Sequence, residues 1–176
     1  MLSKVLRCAP LLEHLDVSHL DLRDQGLATM FRHGSFDLVS IMLTSTKLKG
    51  SGLQALTSAA LPRLERLVLS RNPLGLDHLP GVVSALHGLK WFDLTACELG
   101  DTGARLVVRT VTDTAHTGTM TLVMALNGVT DDGIEIGRIT SGGRLRLAGL
   151  DLSYNAISEA VATSLINAAE VIGTPP

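Results

Sequence analysis

A pattern of apolar residues that recurs six times is the strongest constraint on the fold of this chain. The pattern reads L-x-x-L-x-L-x-x-N-x-L, and its copies begin near residues 12, 38, 64, 89, 119 and 147. Consecutive copies therefore start 25 to 30 residues apart. A period of this length indicates a stack of similar units, because one such unit cannot bury its apolar face without its neighbours.

Each unit combines a strand pattern with a helix pattern. The central apolar residues of a copy, such as Leu67 and Leu69, are two positions apart, so their side chains share one face of a strand. Beyond the strand the spacing changes to three and four residues, as in Leu53 and Leu56, which is typical of a helix. The sequence thus predicts an α/β fold with parallel strands, in which Leu69 and Leu94 are wholly buried between sheet and helices.

The chain resembles the leucine-rich repeat family, in its ribonuclease-inhibitor-like class with a strand and a helix in each repeat. The third copy carries the pattern most clearly, and a glycine opens four of the helical segments. The residues that carry the resemblance are Leu64, Leu67, Leu69, Asn72 and Leu74, with Gly26, Gly52, Gly103 and Gly133. The resemblance implies a solenoid of about six repeats, a curved horseshoe segment with parallel strands on its concave face and helices on its convex face.

The resemblance also implies a structural ladder at the asparagine position of the pattern, where side chains bond loop backbones. Asn72, Asn127 and Asn155 occupy this position, and Cys97 is a substitute in the fourth copy. Five further polar residues precede helical patterns and are expected to cap helix N-termini with their side-chain oxygens. These residues are Asp24, Ser51, Asp101, Asp131 and Ser158.

Residues 1–176 are expected to form a single domain, in which residues 1–11 are the helix of a partial repeat. Neither end shows the polar capping unit that solenoids normally need. The outermost strands are therefore expected to expose unpaired backbone groups along a sheet edge. We expect a neighbouring protein to cover at least one end, and the isolated chain to self-associate.

The composition argues against several classes of function. The chain has 15 basic and 17 acidic residues, so it lacks the basic excess of a nucleic-acid binder. Cys8 and Cys97 have no metal-ligand spacing, and no nucleophile elbow or phosphate loop occurs. No apolar run approaches the roughly 20 residues of a membrane span. We expect no catalysis, metal, cofactor or small-molecule substrate.

Function is expected to lie on the concave face, whose side chains alternate with the buried leucines. Tryptophan and arginine are enriched in interface hot spots, and Trp91 is the one tryptophan of the chain. An alternative for Trp91 is that it packs over the flank of its own sheet without a partner. The predicted partner-binding residues are Met42, Arg66, Val68, Arg71, Trp91, Asp93, Leu126 and Tyr154.

The predicted function is a non-catalytic protein–protein interaction module, a scaffold or structural subunit of a larger intracellular assembly. The alternative is an enzyme regulator such as a leucine-rich repeat GTPase-activating protein. Those proteins are longer and end in a strongly acidic tail, whereas this sequence ends in Ile-Gly-Thr-Pro-Pro. The cytoplasm is the expected compartment, and mitochondrial import stays open because the first seven residues carry two bases and no acid.

Overall fold

The computed structural model describes residues 6, 8–32, 36–85, 88–113, 119–135 and 147–173. The expected N-terminal helix over residues 1–11 falls largely outside this part of the chain. Among the described residues no helix is long and apolar enough to cross a membrane.

The described residues form an α/β structure around one parallel sheet of six strands, which follow each other in sequence order. The strands are β1 (His14–Asp16), β2 (Ser40–Met42), β3 (Arg66–Val68), β4 (Trp91–Asp93), β5 (Met120–Val123) and β6 (Leu147–Asp151). This arrangement confirms the α/β class and the parallel strands that the sequence predicts.

Helical segments make the connections, because the chain must cross back before it can enter the next parallel strand. The α-helices of the described residues are α1 (Arg23–Phe31), α2 (Gln54–Ser58), α3 (Leu79–Ala85), α4 (Gly100–Asp113) and α5 (Glu159–Gly173). Short 3-10 turns lie at Ser51–Leu53, Leu76–His78 and Asp131–Gly133. Every connection between consecutive strands contains at least one of these elements.

The strand register follows the sequence repeat. Equivalent positions of consecutive copies pair side by side, so that one continuous row crosses the whole sheet. This row consists of Leu15, Ile41, Leu67, Phe92, Leu122 and Leu150. Each sequence copy therefore contributes one strand, and its core side chains stack on those of the copies before and after it.

The apolar core lies between the sheet and the helices. Leu69 and Leu94 have no exposed surface, which confirms their predicted burial. Burying one such leucine contributes about 1.5–3 kcal/mol. Burial declines towards the sixth strand, where Leu147 and Leu150 pack against the core but keep part of their surface exposed.

Close contact between units explains two of the glycines in the pattern. A Cβ atom on Gly52 would lie 2.7 Å from the Cα of Asp24, and one on Gly133 would lie 3.0 Å from the Cα of Asp101. Both clashes involve the backbone of the preceding unit, which cannot move aside as a flexible side chain could. Glycine at these positions therefore allows consecutive units to approach.

Candidate functional site

The candidate site is the sheet face, which we define as the side chains of the strands that point away from the helices. It consists of two rows that cross the sheet in register. The first row is His14, Ser40, Arg66, Trp91, Thr121 and Gly149. The second row is Asp16, Met42, Val68, Asp93, Val123 and Asp151.

Arg66 and Trp91 form a stacked pair near the middle of the sheet face. They are register partners on β3 and β4, and the guanidinium carbon of Arg66 lies 4.6 Å from the centroid of the indole ring. This geometry is a cation–π interaction. Arg66 is exposed and Trp91 is half-buried, while the indole Nε1 is buried and has no hydrogen-bond partner within the described structure. The pair thus presents a cation that is held in place by an aromatic surface.

Val68 is buried, contrary to the expectation that its side chain points to solvent. Only 6% of its surface is exposed. Its register partners are Met42 on one side and Asp93 on the other, and neighbouring strands are only about 4.8 Å apart. The longer side chains on either side leave little of a valine accessible, so Val68 offers almost no surface to a partner.

Asp93 has a local structural role that the sequence-based prediction did not assign. Its Oδ1 accepts a hydrogen bond of 2.8 Å from the backbone N–H of Thr95. Asp16 and Asp151 make the same contact, at 2.9 Å, with Ser18 and Ser153. In both, hydrogen bonds from the serine hold the pKa of the carboxyl below its usual value. The recurrence of Asp-x-Ser or Asp-x-Thr at one position of three copies is the sequence signal for these turns.

The remaining predicted residues lie elsewhere on the sheet face or beyond the strand ends. Met42 is half-buried in the second row, and Arg71 is exposed after β3. Leu126 and Tyr154 are 52% and 81% exposed. They are neighbours, because the N–H of Leu126 donates to the carbonyl of Ser153. We call Leu126 and Tyr154 the strand-end cluster.

The strand-end position has an unusual backbone conformation in every unit. At this position the backbone has a positive φ of 54° to 62°, although none of the six residues is a glycine. The six residues are His19, Ser45, Arg71, Ala96, Leu126 and Tyr154. Left-handed backbone costs roughly 1–2 kcal/mol per such residue. Inter-strand hydrogen bonds hold the conformation, as where the N–H of Arg71 donates to the carbonyl of Thr95 at 2.8 Å. The strand-end side chains are therefore fixed in direction by the backbone.

The asparagines of the pattern bond each unit to the unit before it. Asn127 Oδ1 accepts from the N–H groups of Cys97 and Leu99 at 2.8 and 3.3 Å. Its Nδ2 donates to the carbonyls of Leu94 and Ala125 at 2.8 and 3.1 Å. Asn72 and Asn155 make corresponding bonds to their preceding units. These contacts use both the oxygen and the nitrogen of the carboxamide. The asparagines therefore have a structural role.

Cys97 is buried in the same row and is not a reactive thiol. Its Sγ–H donates to the carbonyl of Leu69 at 3.3 Å. Burial raises the pKa of the thiol to about 12. Because the thiolate is the nucleophilic form, this raised pKa leaves very little of the reactive form at neutral pH.

Three aspartates that were expected to cap helices bond the following unit instead. Asp101 accepts from the N–H and the hydroxyl of Thr130 at 2.7 and 2.9 Å, and Asp131 accepts from the N–H of Ser158 at 2.8 Å. Asp24 accepts in the same way from residues of the second unit. The cap prediction was wrong for these residues because the next unit brings its own N–H groups within reach.

Hydrogen bonds from Thr130 and from Ser158 lower the pKa values of Asp101 and Asp131 respectively. Ser158 does cap a helix, since its hydroxyl accepts from the N–H of Val161 at 3.3 Å.

Comparison with known proteins adds no assignment, since no family model matches the sequence and no curated protein matches it. Over the residues that the structure describes, no three His, Cys, Asp or Glu side chains come together in a group that could hold a metal ion. The surface features that remain for recognition are the Arg66–Trp91 pair and the strand-end cluster.

Proposed function

We propose that this chain is a leucine-rich repeat solenoid that acts as a non-catalytic protein-interaction module. Support for the family comes from the six strands in sequence order and from the helical element on every connection. The three asparagines that bond successive units add to it. In such a solenoid the sheet face is the concave surface, and a partner would contact several units at once.

The Arg66–Trp91 pair is the observation that supports the interaction surface best. A guanidinium group that is already stacked on an indole loses little conformational freedom when it binds, so less of the binding energy is spent on ordering. Trp and Arg side chains also dominate measured hot spots. We therefore place the centre of the interface on β3 and β4, with Met42 at its margin.

The proposed setting is a multisubunit assembly inside the cell. Cys8 and Cys97 are both free thiols, and free thiols suit a reducing compartment. The cytoplasm and the mitochondrial interior both meet this requirement, and recovering the partner will distinguish them.

The test is to recover complexes on the tagged chain from its native source and then measure their affinity for three variants. Trp91→Ala and Arg66→Ala should each weaken binding by about 2 kcal/mol, or roughly thirtyfold. The control is Thr102→Ala, which changes an exposed residue on α4, on the helix side of the sheet. Circular dichroism should show that all three variants keep the fold. Unchanged affinity of Trp91→Ala with the fold intact would contradict the proposed interface.

A further inference from the structure

Asn127 is followed by Gly128, and this is the one asparagine–glycine pair of the chain. In such a pair the backbone nitrogen of the glycine can attack the side-chain carbonyl carbon of the asparagine. A C–N bond forms and the bond to the amide nitrogen breaks, so that ammonia leaves and a cyclic succinimide remains. Water then opens the ring to aspartate or to isoaspartate, in which the backbone runs through the former side chain. Glycine permits the attack best because it has no Cβ to obstruct it.

The other two asparagines of the ladder are less suited to this reaction. Asn72 precedes Pro73, whose ring nitrogen carries no hydrogen and cannot close the succinimide. Asn155 precedes Ala156, whose Cβ hinders the approach of the backbone nitrogen. The ladder asparagine with the most reactive neighbour is therefore Asn127, which is also the one that joins the fourth and fifth units. The copies of these two units begin near residues 89 and 119.

The folded structure blocks the reaction at Asn127. Hydrogen bonds to both its Oδ1 and its Nδ2 hold the carboxamide against the fourth unit. The residue is only 4% exposed, so the water that must protonate the leaving ammonia and open the ring has little access. Ring closure therefore requires that these bonds break and that the junction between the two units opens.

Either product is incompatible with the closed junction. Aspartate would place a carboxylate oxygen where Nδ2 now donates, so that the carbonyls of Leu94 and Ala125 would face an acceptor. Burying a charge beside such groups is strongly unfavourable. Isoaspartate would also lengthen the backbone by one carbon. The N–H of Asn127 now donates to Asn155 Oδ1 at 2.9 Å and its carbonyl accepts from the N–H of Gly100 at 3.0 Å, so both bonds would be displaced.

We propose that the Asn127–Gly128 pair is a covalent modification site, at which deamidation records the opening of the junction between the fourth and fifth units. While the junction is closed, the asparagine is preserved. When it stays open, the pair consumes one water and releases one ammonia, and the product keeps the junction from closing again. Long opening thus converts the chain irreversibly into a form that lacks this contact. The inference does not depend on the interface proposed around the Arg66–Trp91 pair.

The first experiment compares the full chain in buffer and in concentrated guanidinium chloride, at the same mildly alkaline pH and temperature. Peptide mapping by mass spectrometry locates each conversion of amide to acid. Conversion at Asn127 should be at least about a hundredfold slower in buffer, because only opened molecules react. In denaturant, Gly128→Ala should slow it strongly through the added Cβ. Equal rates at Asn127 in the two solutions would overturn the proposal, and so would faster conversion at Asn155 than at Asn127 in denaturant.

The second experiment removes the denaturant after incubation and follows refolding by circular dichroism. The control is the same chain kept as long in denaturant at mildly acid pH, where the glycine nitrogen loses its proton too rarely to attack. The control should refold, whereas chains deamidated at Asn127 should stay unfolded or melt at a lower temperature. Refolding of the deamidated chains with the thermal midpoint of the control would overturn the proposal.

A pair of variants isolates the carboxylate product. Asn127→Asp should melt below the parent chain, whereas Asn167→Asp, at an exposed position of α5, should keep the thermal midpoint of the parent. Equal midpoints for the two variants would show that the junction accepts the carboxylate, and the proposal would then fail.

Discussion

Asn127, which is 4% exposed as a whole residue, joins two units through its carboxamide. Replacing it with leucine removes an acceptor for Cys97 and Leu99 and a donor for two carbonyls. Each buried polar group left without a partner costs about 1–3 kcal/mol. We expect Asn127→Leu to lower the free energy of unfolding by several kcal/mol.

Urea denaturation followed by circular dichroism measures this change. The control is Asn167→Leu on α5, an exposed position where a change within about 0.5 kcal/mol is expected. Equal stability of the two variants would show that the asparagine at position 127 does not hold the units together.

The aspartates that bond the following unit predict how stability depends on pH. The pKa of Asp101 is lowered in the fold, chiefly by the N–H of Thr130, so the ionised carboxyl stabilises the folded state. This contribution is complete above the unfolded pKa of about 3.9 and is lost as the pH falls through the lower folded value. Asp101→Asn should therefore destabilise the chain at neutral pH and reduce its loss of stability below about pH 4.

The measurement is thermal unfolding of both proteins over a pH series. Thr102→Ala, one residue further along α4, keeps the aspartate and should keep the full acid sensitivity. A pH dependence of Asp101→Asn identical to that of the parent chain would contradict the assignment.

At the residue scale the sequence predicted positions better than roles. The pattern located Asn72, Asn127 and Asn155 in one row, because a repeat aligns equivalent residues without any knowledge of their contacts. It misjudged Asp101 and Val68, whose surroundings depend on the neighbouring unit. Helix capping is predicted from the sequence of one helix, and strand alternation from the sequence of one strand. Neither prediction includes the contacts that a neighbouring unit makes.

Glycine at the start of the helical segments limits how closely two units can pack. Gly52→Ala would place a Cβ atom 2.7 Å from the Cα of Asp24 and should cost about 1–3 kcal/mol, the range for overpacking. The matched control is Gly81→Ala in α3, where a Cβ meets nothing within 4 Å. There alanine should stabilise the helix by up to about 1 kcal/mol.

Chemical denaturation of both variants gives the comparison. If Gly52→Ala is as stable as Gly81→Ala, the contact between the first two units is looser than the structure indicates. The two glycines cannot be told apart by residue type, and only the packing of the units makes them differ.

Strands were easier to predict than helical elements, for a physical reason. Leu67 pairs with Phe92 because buried residues alternate along both strands. A shift of one residue would turn these buried side chains to the exposed face of the sheet. The helices that connect two described strands vary in length from the five residues of α2 to the fourteen of α4, since any connection that returns the chain to the next strand is sufficient. The spacing of the copies therefore indicated that a segment connects consecutive strands, but not how much of that segment is helical.

For the whole molecule, the gradient of burial predicts a gradient of local stability. Leu67 and Leu69 have no exposed surface, whereas Leu150 and Leu152 of the last unit keep part of theirs. Because the sixth unit buries less apolar surface, it should open first. Native-state amide exchange should give a lower opening free energy for β6 than for β3, and equal values would contradict this view.

The expectation that the isolated chain self-associates stays a prediction. Within the described sheet, β1 and β6 each pair on one side only, which favours association in general. Because β1 and β6 are different edges, stacking of copies would not close at a dimer, so the assembly should be open-ended and dependent on concentration. Light scattering over a range of concentrations distinguishes a discrete oligomer from such an assembly.

The way one unit bonds the next also bears on how a protein of this kind can change its length in evolution. The units joined through Asn72, Asn127 and Asn155 use the same donors and acceptors, although their spacings differ. A gene segment encoding one whole unit could be duplicated or deleted, and the new neighbours would still find matching groups. Point mutations of these three asparagines carry a heavier penalty, because each one affects two units at once. Selection on such a gene should therefore tolerate changes in the number of units more readily than changes to these three asparagines.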